Sequence, residues 1–180
     1  SMVRLLEAEP GANRVDLARA LQVLARIRHG LGEDSQPLLE QALGIVAENE
    51  GEDSAEAVSI LTMMGKQELS SGRMKEAEQV LRRALAILDR KQGTSHPDVA
   101  RTQVDLAKVV VALGRREEAE SLCREALQVL EKTLGTEHPE VVASLCELAW
   151  VLQEQAKYAD AESLLRRVLA MQKRTLGAAH

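Results

Sequence analysis

Four histidines, two cysteines and a set of paired acidic positions are the residues here that could do chemistry, so their spacing decides which chemistry is open. His96 and His138 each precede a proline and stand 42 residues apart. Two imidazoles do not hold zinc, which takes four protein ligands in a structural site or three plus water in a catalytic one, and no third ligand recurs with them. Asp105 and Glu147 also stand 42 apart. Paired carboxylates can work as acid and base, but residues that return once per period read more simply as charges lining a surface. Cys123 and Cys146 sit inside helical patterns, at positions that elsewhere hold Leu81 and Leu165, or Thr62 and Val104. They are expected to be reduced and unpaired, Cys123 in the core and Cys146 towards a groove. No GxSxG, glycine-rich phosphate loop, HExxH or CxxC occurs. The expectation is no catalytic residue, no metal, no cofactor and no enzyme.

The spacing of these residues belongs to the whole chain. Gly93, Gly135 and Gly177 fall 42 apart, as do His96-Pro97 and His138-Pro139, and the triplets that begin at Glu76, Glu118 and Asp160. A fixed period of this length means that each unit is one supersecondary element that cannot bury its apolar face alone, so neighbours stack. The 180 residues are 45% hydrophobic and 28% charged, with 1% aromatic and no Phe, a composition suited to long helices packed through Leu, Val and Ala. A net charge of −5 without a basic block argues against nucleic acid. No apolar run approaches the roughly 20 residues of a membrane span and no signal peptide opens the chain, so a cytoplasmic protein that does not enter membranes is expected.

In chain order, residues 1–13 read as a remnant (Ser1-Met2) and a frayed segment broken at Pro10-Gly11. Residues 14–50 form a degenerate helix pair, with Leu17, Leu21, Leu24 and Ile27 at helical spacing in its first helix and Leu39, Ala42, Leu43 and Val46 in its second. The latter align 42 residues ahead with Leu81, Ala84, Leu85 and Leu88, whereas the first helix aligns poorly. Residues 51–180 carry three pairs with helices at about 54–70 and 74–90, 97–113 and 116–133, and 139–155 and 158–175. The His-Pro step is helix punctuation, because proline at the first helical position needs no amide partner. Small residues at Gly65, Ala107 and Ala149, and at Ala77, Ala119 and Ala161, let paired helices approach closely. The Arg82-Arg83, Arg115-Arg116 and Arg166-Arg167 steps lie on or beside second helices among acidic neighbours, a solvated convex face rather than a nucleic-acid patch.

This pattern of small residues resembles the tetratricopeptide repeat, and its 42-residue form with an LGxxHP linker is similar to the kinesin light chain family and, less closely, to nephrocystin-type proteins. The stretch LGTEHPEVVASLCELAWVLQEQAKYADAESLLRRVL, starting at Leu134, carries the resemblance. It implies an all-α fold, a right-handed α-solenoid of about four antiparallel helix pairs. It also implies a non-enzymatic adaptor that takes a partner peptide in the groove of its first helices. The Asn pair expected of kinesin light chain repeats is replaced by Val104-Asp105 and Cys146-Glu147, so the peptide differs.

Helical geometry then nominates the groove. Arg101, Val104, Asp105 and Lys108 are spaced i, i+3, i+4, i+7 on one stripe, away from Leu106, Ala107 and Val110. Shifts of 42 give Ser59, Thr62, Met63 and Lys66 in the preceding pair, and Ala143, Cys146, Glu147 and Trp150 in the following one. The expected occupant is a protein or peptide whose acidic residue meets Lys66, Arg101 or Lys108 and whose apolar residue meets Trp150. A tryptophan in such a stripe is either an anchor or core; its lysine counterparts favour the anchor. The alternative function is a structural or autoregulatory module that packs against other domains or self-associates through its C-terminal edge, where Leu176-Gly177-Ala178-Ala179-His180 begins another LGxxHP linker and the helix at 158–175 needs cover.

Overall fold

The structure of the protein, a computed structural model, describes residues 14–177, with side chains as far as Arg174. The Ser1-Met2 start, the Pro10-Gly11 breaker and the linker residues Ala178, Ala179 and His180 lie outside these residues. Among the described residues there are eight α-helices and no strand: α1 (Arg14–Gly30), α2 (Gln36–Glu50), α3 (Ala55–Ser70), α4 (Met74–Gln92), α5 (Pro97–Ala112), α6 (Arg116–Leu134), α7 (Pro139–Glu154) and α8 (Tyr158–Gly177). They divide into two compact units, one with α1 to α3 that ends at Arg73 and one with α4 to α8 that starts at Met74. In the first, α2 packs against both α1 and α3; in the second, each helix packs on the next, and α5 also touches α7.

The helix starts follow from side-chain chemistry. His96 and His138 are N-caps whose Nδ1 accepts the backbone N–H of Asp98 and Glu140, both at 3.2 Å, with proline next in line. Ser54 caps α3 the same way, accepting from Ala57 N–H at 3.2 Å. The two repeat-spaced histidines are thus committed to backbone amides, and each must carry its ring proton on Nε2.

The first helix of every pair ends identically. The N–H groups of Glu33, Arg73, Arg115 and Lys157 reach back five residues to the carbonyls of Arg28, Glu68, Val110 and Leu152, at 2.8–2.9 Å. This closure needs a left-handed residue at Gly32, Gly72, Gly114 and Ala156. Ala156 holds φ 60°, where a Cβ costs roughly 1–2 kcal/mol. Ala156→Gly should therefore stabilise the protein by about 1 kcal/mol, and raise Tm by roughly 2–4 °C, as thermal unfolding by circular dichroism would show; an unchanged or lowered Tm would contradict this reading of the turn.

The same turn explains the poor alignment of α1. Gly32 and Gly72 are 40 residues apart, Gly72 and Gly114 are 42, so the stretch leading from the turn glycine into the core of α2 is two residues shorter than its counterpart leading into α4. With a shift of 40, α1 matches α3: Leu17, Leu21 and Ala25 correspond to Ala57, Leu61 and Gly65, all buried. Ile27, grouped with the core by its period, is instead 53% exposed, whereas its counterpart Gln67 is 7% exposed and accepts from Ser35 Oγ at 2.5 Å.

Burial follows the anticipated pattern elsewhere. Leu106, Ala107 and Val110, together with Ala77, Ala119 and Ala149, are almost wholly buried. Leu39, Ala42 and Val46 are buried like their counterparts Leu81, Ala84 and Leu88. The arginine steps are tied into ion pairs between repeats. Arg115 meets Glu78 at 2.5 Å and Arg82 meets Glu118 at 2.5 Å. One repeat on, Lys157 meets Glu120 at 2.7 Å, and one repeat back Arg73 donates to Gln36 at 3.3 Å.

That periodic contact carries a pH dependence. The Lys157 ammonium, helped by Arg124 and Gln155 and opposed by burial, holds the Glu120 carboxyl down to about 2, and Arg115 lowers Glu78 in the same way. A carboxylate lowered in the folded state stabilises fully above its unfolded value of 4.5 and loses that contribution as pH falls towards 2. Lys157→Gln should flatten the acid limb of the stability curve in this window, at a cost under about 1 kcal/mol at pH 7 for so solvated a pair. Urea unfolding at several pH values measures it; an unchanged acid limb would remove the pair from this role.

Candidate functional site

The residues that could meet a partner are those the packing leaves on the first helices, and each unit holds two such helices. In the second unit, α5 turns Leu106, Ala107 and Val110 inward, which leaves Arg101 exposed and Val104, Asp105 and Lys108 half-buried. On α7 the corresponding stripe has Ala143, Cys146 and Trp150 exposed and Glu147 half-buried. Trp150 is 38% exposed, so part of the residue meets solvent. In the first unit, Ser59 and Lys66 on α3 are exposed, with Thr62 and Met63 half-buried.

The stripe of the second unit is electrostatically closed. Lys108 Nζ lies 2.7 Å from Glu147 Oε1 on the next first helix. Arg101 forms a two-pronged pair with Glu140, at 2.7 and 2.9 Å, and also holds Asp98. This fork holds Arg101 and lowers the Glu140 carboxyl, by hydrogen bonding against a smaller burial effect. The two cations nominated for an acidic partner in this unit are thus already neutralised by neighbouring carboxylates. Acceptors that lie 39 residues from their donors in the sequence come within ion-pair reach only because α5 and α7 stack.

The cysteines separate as their positions require. Cys123 is fully buried and Cys146 exposed, and both are free thiols. Burial, reinforced by the Glu147 charge and partly offset by Lys108, pushes Cys123 up to about 12; burial and Glu147 raise Cys146 as well. Thiolate is the reactive form, so native-state labelling at pH 8 should modify Cys146 at least about 100-fold faster than Cys123. Mass spectrometry of a timed alkylation reads this directly, and comparable rates would mean that Cys123 is not packed between helices.

Sequence reasoning missed the first helix of the chain. With the 40-residue shift, Ser59, Thr62, Met63 and Lys66 correspond to Arg19, Gln22, Val23 and Arg26 on α1. These four, with Met63, line a cleft of about 270 Å³ between α1 and α3. Gln22 Nε2 donates to Glu56 Oε1 at 2.6 Å and ties the two helices together beside it. Arg19 has only a long contact to Asp16, 3.6 Å, and Arg26 makes no ion pair with any described residue. The glycine spacing alone could have revealed this register.

Among the described residues no group of three or more His, Cys, Asp and Glu could hold a metal, and no helix is long and apolar enough to cross a membrane. The tetratricopeptide repeat model matches residues 59–120 and 98–174. No curated protein sequence matches the chain at a significant level. Among solved structures, nearly identical TPR-like repeats assigned to a kinesin light chain of Podosopora anserina match in two crystal structures, the first of them of a point variant. One is 27% identical, with a TM-score of 0.80 over 97% of this chain and 86% of that one. The other is 28% identical, with a TM-score of 0.74 over 88% and 76%. BtubC (BKLC) from P. vanneervenii shares the fold, with a TM-score of 0.84 over 97% and 70% at 18% identity.

Proposed function

The chain belongs to the tetratricopeptide repeat family, and from that premise we propose that it is a non-enzymatic adaptor that binds a partner protein through a peptide laid on the first-helix faces. Tetratricopeptide repeats are in general protein-interaction scaffolds; the cargo-adaptor role is carried here by likeness to the kinesin light chain repeats. The observation that supports it is the recurrent i, i+3, i+4, i+7 stripe, exposed or half-exposed on α3, α5 and α7 and polar or charged at most positions. Trp150 stands on this stripe 38% exposed, a large amphipathic side chain available to a partner. A rigid aromatic between charges is where binding energy concentrates, often at more than about 2 kcal/mol on truncation. Two unpaired cysteines suit a reducing, cytoplasmic setting.

Selection of random peptides on the protein, followed by titration against Trp150 emission, tests this. Saturable binding that quenches the indole, and that Trp150→Ala weakens about tenfold or more, is the expected result. Absence of any saturable peptide would pass the lead to the second reading, a packing or self-associating module. One observation favours that alternative: on α8 Leu165 and Leu169 are 43% and 60% exposed, whereas Cys123 and Leu127, one repeat earlier, are 0% and 9%. Sedimentation at rising concentration tells whether α8 is covered by a second copy.

A further inference from the structure

Val23, Ile27 and Leu31 on α1 and Tyr158, Leu165 and Leu169 on α8 are six of the seven large apolar side chains exposed among the described residues, and Trp150 on α7 is the seventh. Spacings of four, and of seven and four, gather each set into one stripe of its helix. Inside the repeats such stripes cover one another. Leu24 and Ile27 correspond to Leu106 and Val109 on α5 and to Leu148 and Val151 on α7, all four buried where α5 packs on α4 and α7 on α6. Leu165 and Leu169 correspond to Cys123 and Leu127 on α6, against which α7 packs. So α1 carries the face that a preceding second helix covers, and α8 the face that a following first helix covers.

The two faces also match each other where the interior is polar. Lys108 on α5 meets Glu147 on α7 at 2.7 Å; one repeat on, the first of these positions is Trp150, and on α1 the second is Val23. Gln155, at the end of α7, donates to the Arg116 carbonyl at the start of α6, at 2.9 Å; the equivalent residues are Leu31 after α1 and Tyr158 at the start of α8. Each polar contact of the interior is thus replaced by two exposed apolar side chains, one on each face.

We propose that copies of this chain join head to tail: α1 of one copy docks on α7 and α8 of another, in the register that sets Val23 on Trp150 and Leu31 on Tyr158. The contact is independent of peptide binding, and it supplies the cover for α8 that the second reading leaves open. One position opposes it. Glu33 stands where Arg115 and Lys157 meet Glu78 and Glu120, and in this register it faces Glu162. Arg28, at 3.7 Å from Glu33, and Arg166, at 2.7 Å from Glu162, offset that repulsion in part. The interface is heterologous, with different surfaces on the two copies. It is also only one repeat wide, small for a stable complex, so association belongs above about 50 µM.

Sedimentation equilibrium of the 180-residue chain between about 1 and 500 µM tests this, with two double variants that each lose one face. Ile27→Glu with Leu31→Glu disables α1, and Tyr158→Glu with Leu169→Glu disables α8. The unsubstituted chain should associate, and each variant alone should stay monomeric over the whole range. Mixed in equal amounts, the two variants should form one heterodimer and nothing larger, because a single competent pair of faces remains. Glu33→Lys restores the pairing seen at Lys157 and Glu120, and should tighten association at least about threefold at 50 mM salt. All four variant positions are more than half exposed, so helical circular dichroism should persist; should a double variant unfold, Leu31→Glu and Leu169→Glu singly carry the same decision. Self-association of the α1 variant would mean that α8 meets α8, and self-association of the α8 variant that α1 meets α1; either overturns the head-to-tail contact. An unchanged or weakened association of Glu33→Lys would overturn the register. A chain that stays monomeric to 500 µM would overturn the proposal and leave peptide binding standing, since peptide titration at 1 µM reads the monomer.

Discussion

Leu81→Ala should cost about 3–5 kcal/mol, while Leu165→Ala, the same substitution at the same repeat position, should cost less than about 1 kcal/mol. Leu81 is 0% exposed on α4, and truncating a large buried side chain loses its transfer energy and leaves a cavity whose walls relax only in part. For a chain of this length that is a fall in Tm of roughly 6–20 °C. Leu165 occupies the corresponding place on α8 and is 43% exposed, because no helix is packed over it among the described residues. Alanine there removes apolar surface that is already half in water and leaves no enclosed void. Urea unfolding of both variants, with equal slopes, makes the comparison. Equal large losses would show that the outer face of α8 is covered in solution, which favours self-association; equal small losses would show that the interface of α4 with α5 is loose.

Arg73→Ala should be the most damaging substitution of an exposed residue, at about 2–3 kcal/mol. The Glu68 carboxylate is buried, with a side chain only 3% exposed, and Arg73 covers it from the turn that ends α3. Arg73 also donates to Gln36 on α2 at 3.3 Å, so its guanidinium bridges two helices of the first unit. Removing one partner of a buried pair leaves an uncompensated charge, which costs far more than the pair itself contributes. The sign is tested by the reverse order: Glu68→Gln alone should cost less than Arg73→Ala, and Arg73→Ala should cost little once Glu68 is Gln. A double-mutant cycle by urea unfolding gives the coupling. If the two losses simply add, Glu68 is not dependent on Arg73 and water reaches its carboxylate.

Much of the fold was legible because a repeat writes its packing into its spacing. Periodic glycines, the His-Pro step and the small residues at Ala107 and Ala119 set helix ends and close approaches by local chemistry alone, and the eight helices stand where that chemistry puts them. The α5 stripe was equally legible, since residues at i, i+3, i+4 and i+7 share a face whatever surrounds the helix. The first helix was misaligned because the stretch between Gly32 and the core of α2 is two residues shorter, which changes the period from 42 to 40, and a search at one fixed shift cannot see a deletion.

What only the tertiary structure decided is where equivalent positions find themselves. Cys123 and Leu165 are one repeat apart, yet one is sealed and the other half in water, because burial depends on whether a next helix exists to cover them. Lys108 and Arg101 read as cations waiting for a partner until stacking brought Glu147 and Glu140, 39 residues further along, to within 2.7 Å. Arg19 and Arg26, on a helix the period had set aside, came to line a cleft instead. Helical geometry is local and survives in a single sequence, whereas charge compensation is a property of neighbours, and stacking is what makes residues neighbours.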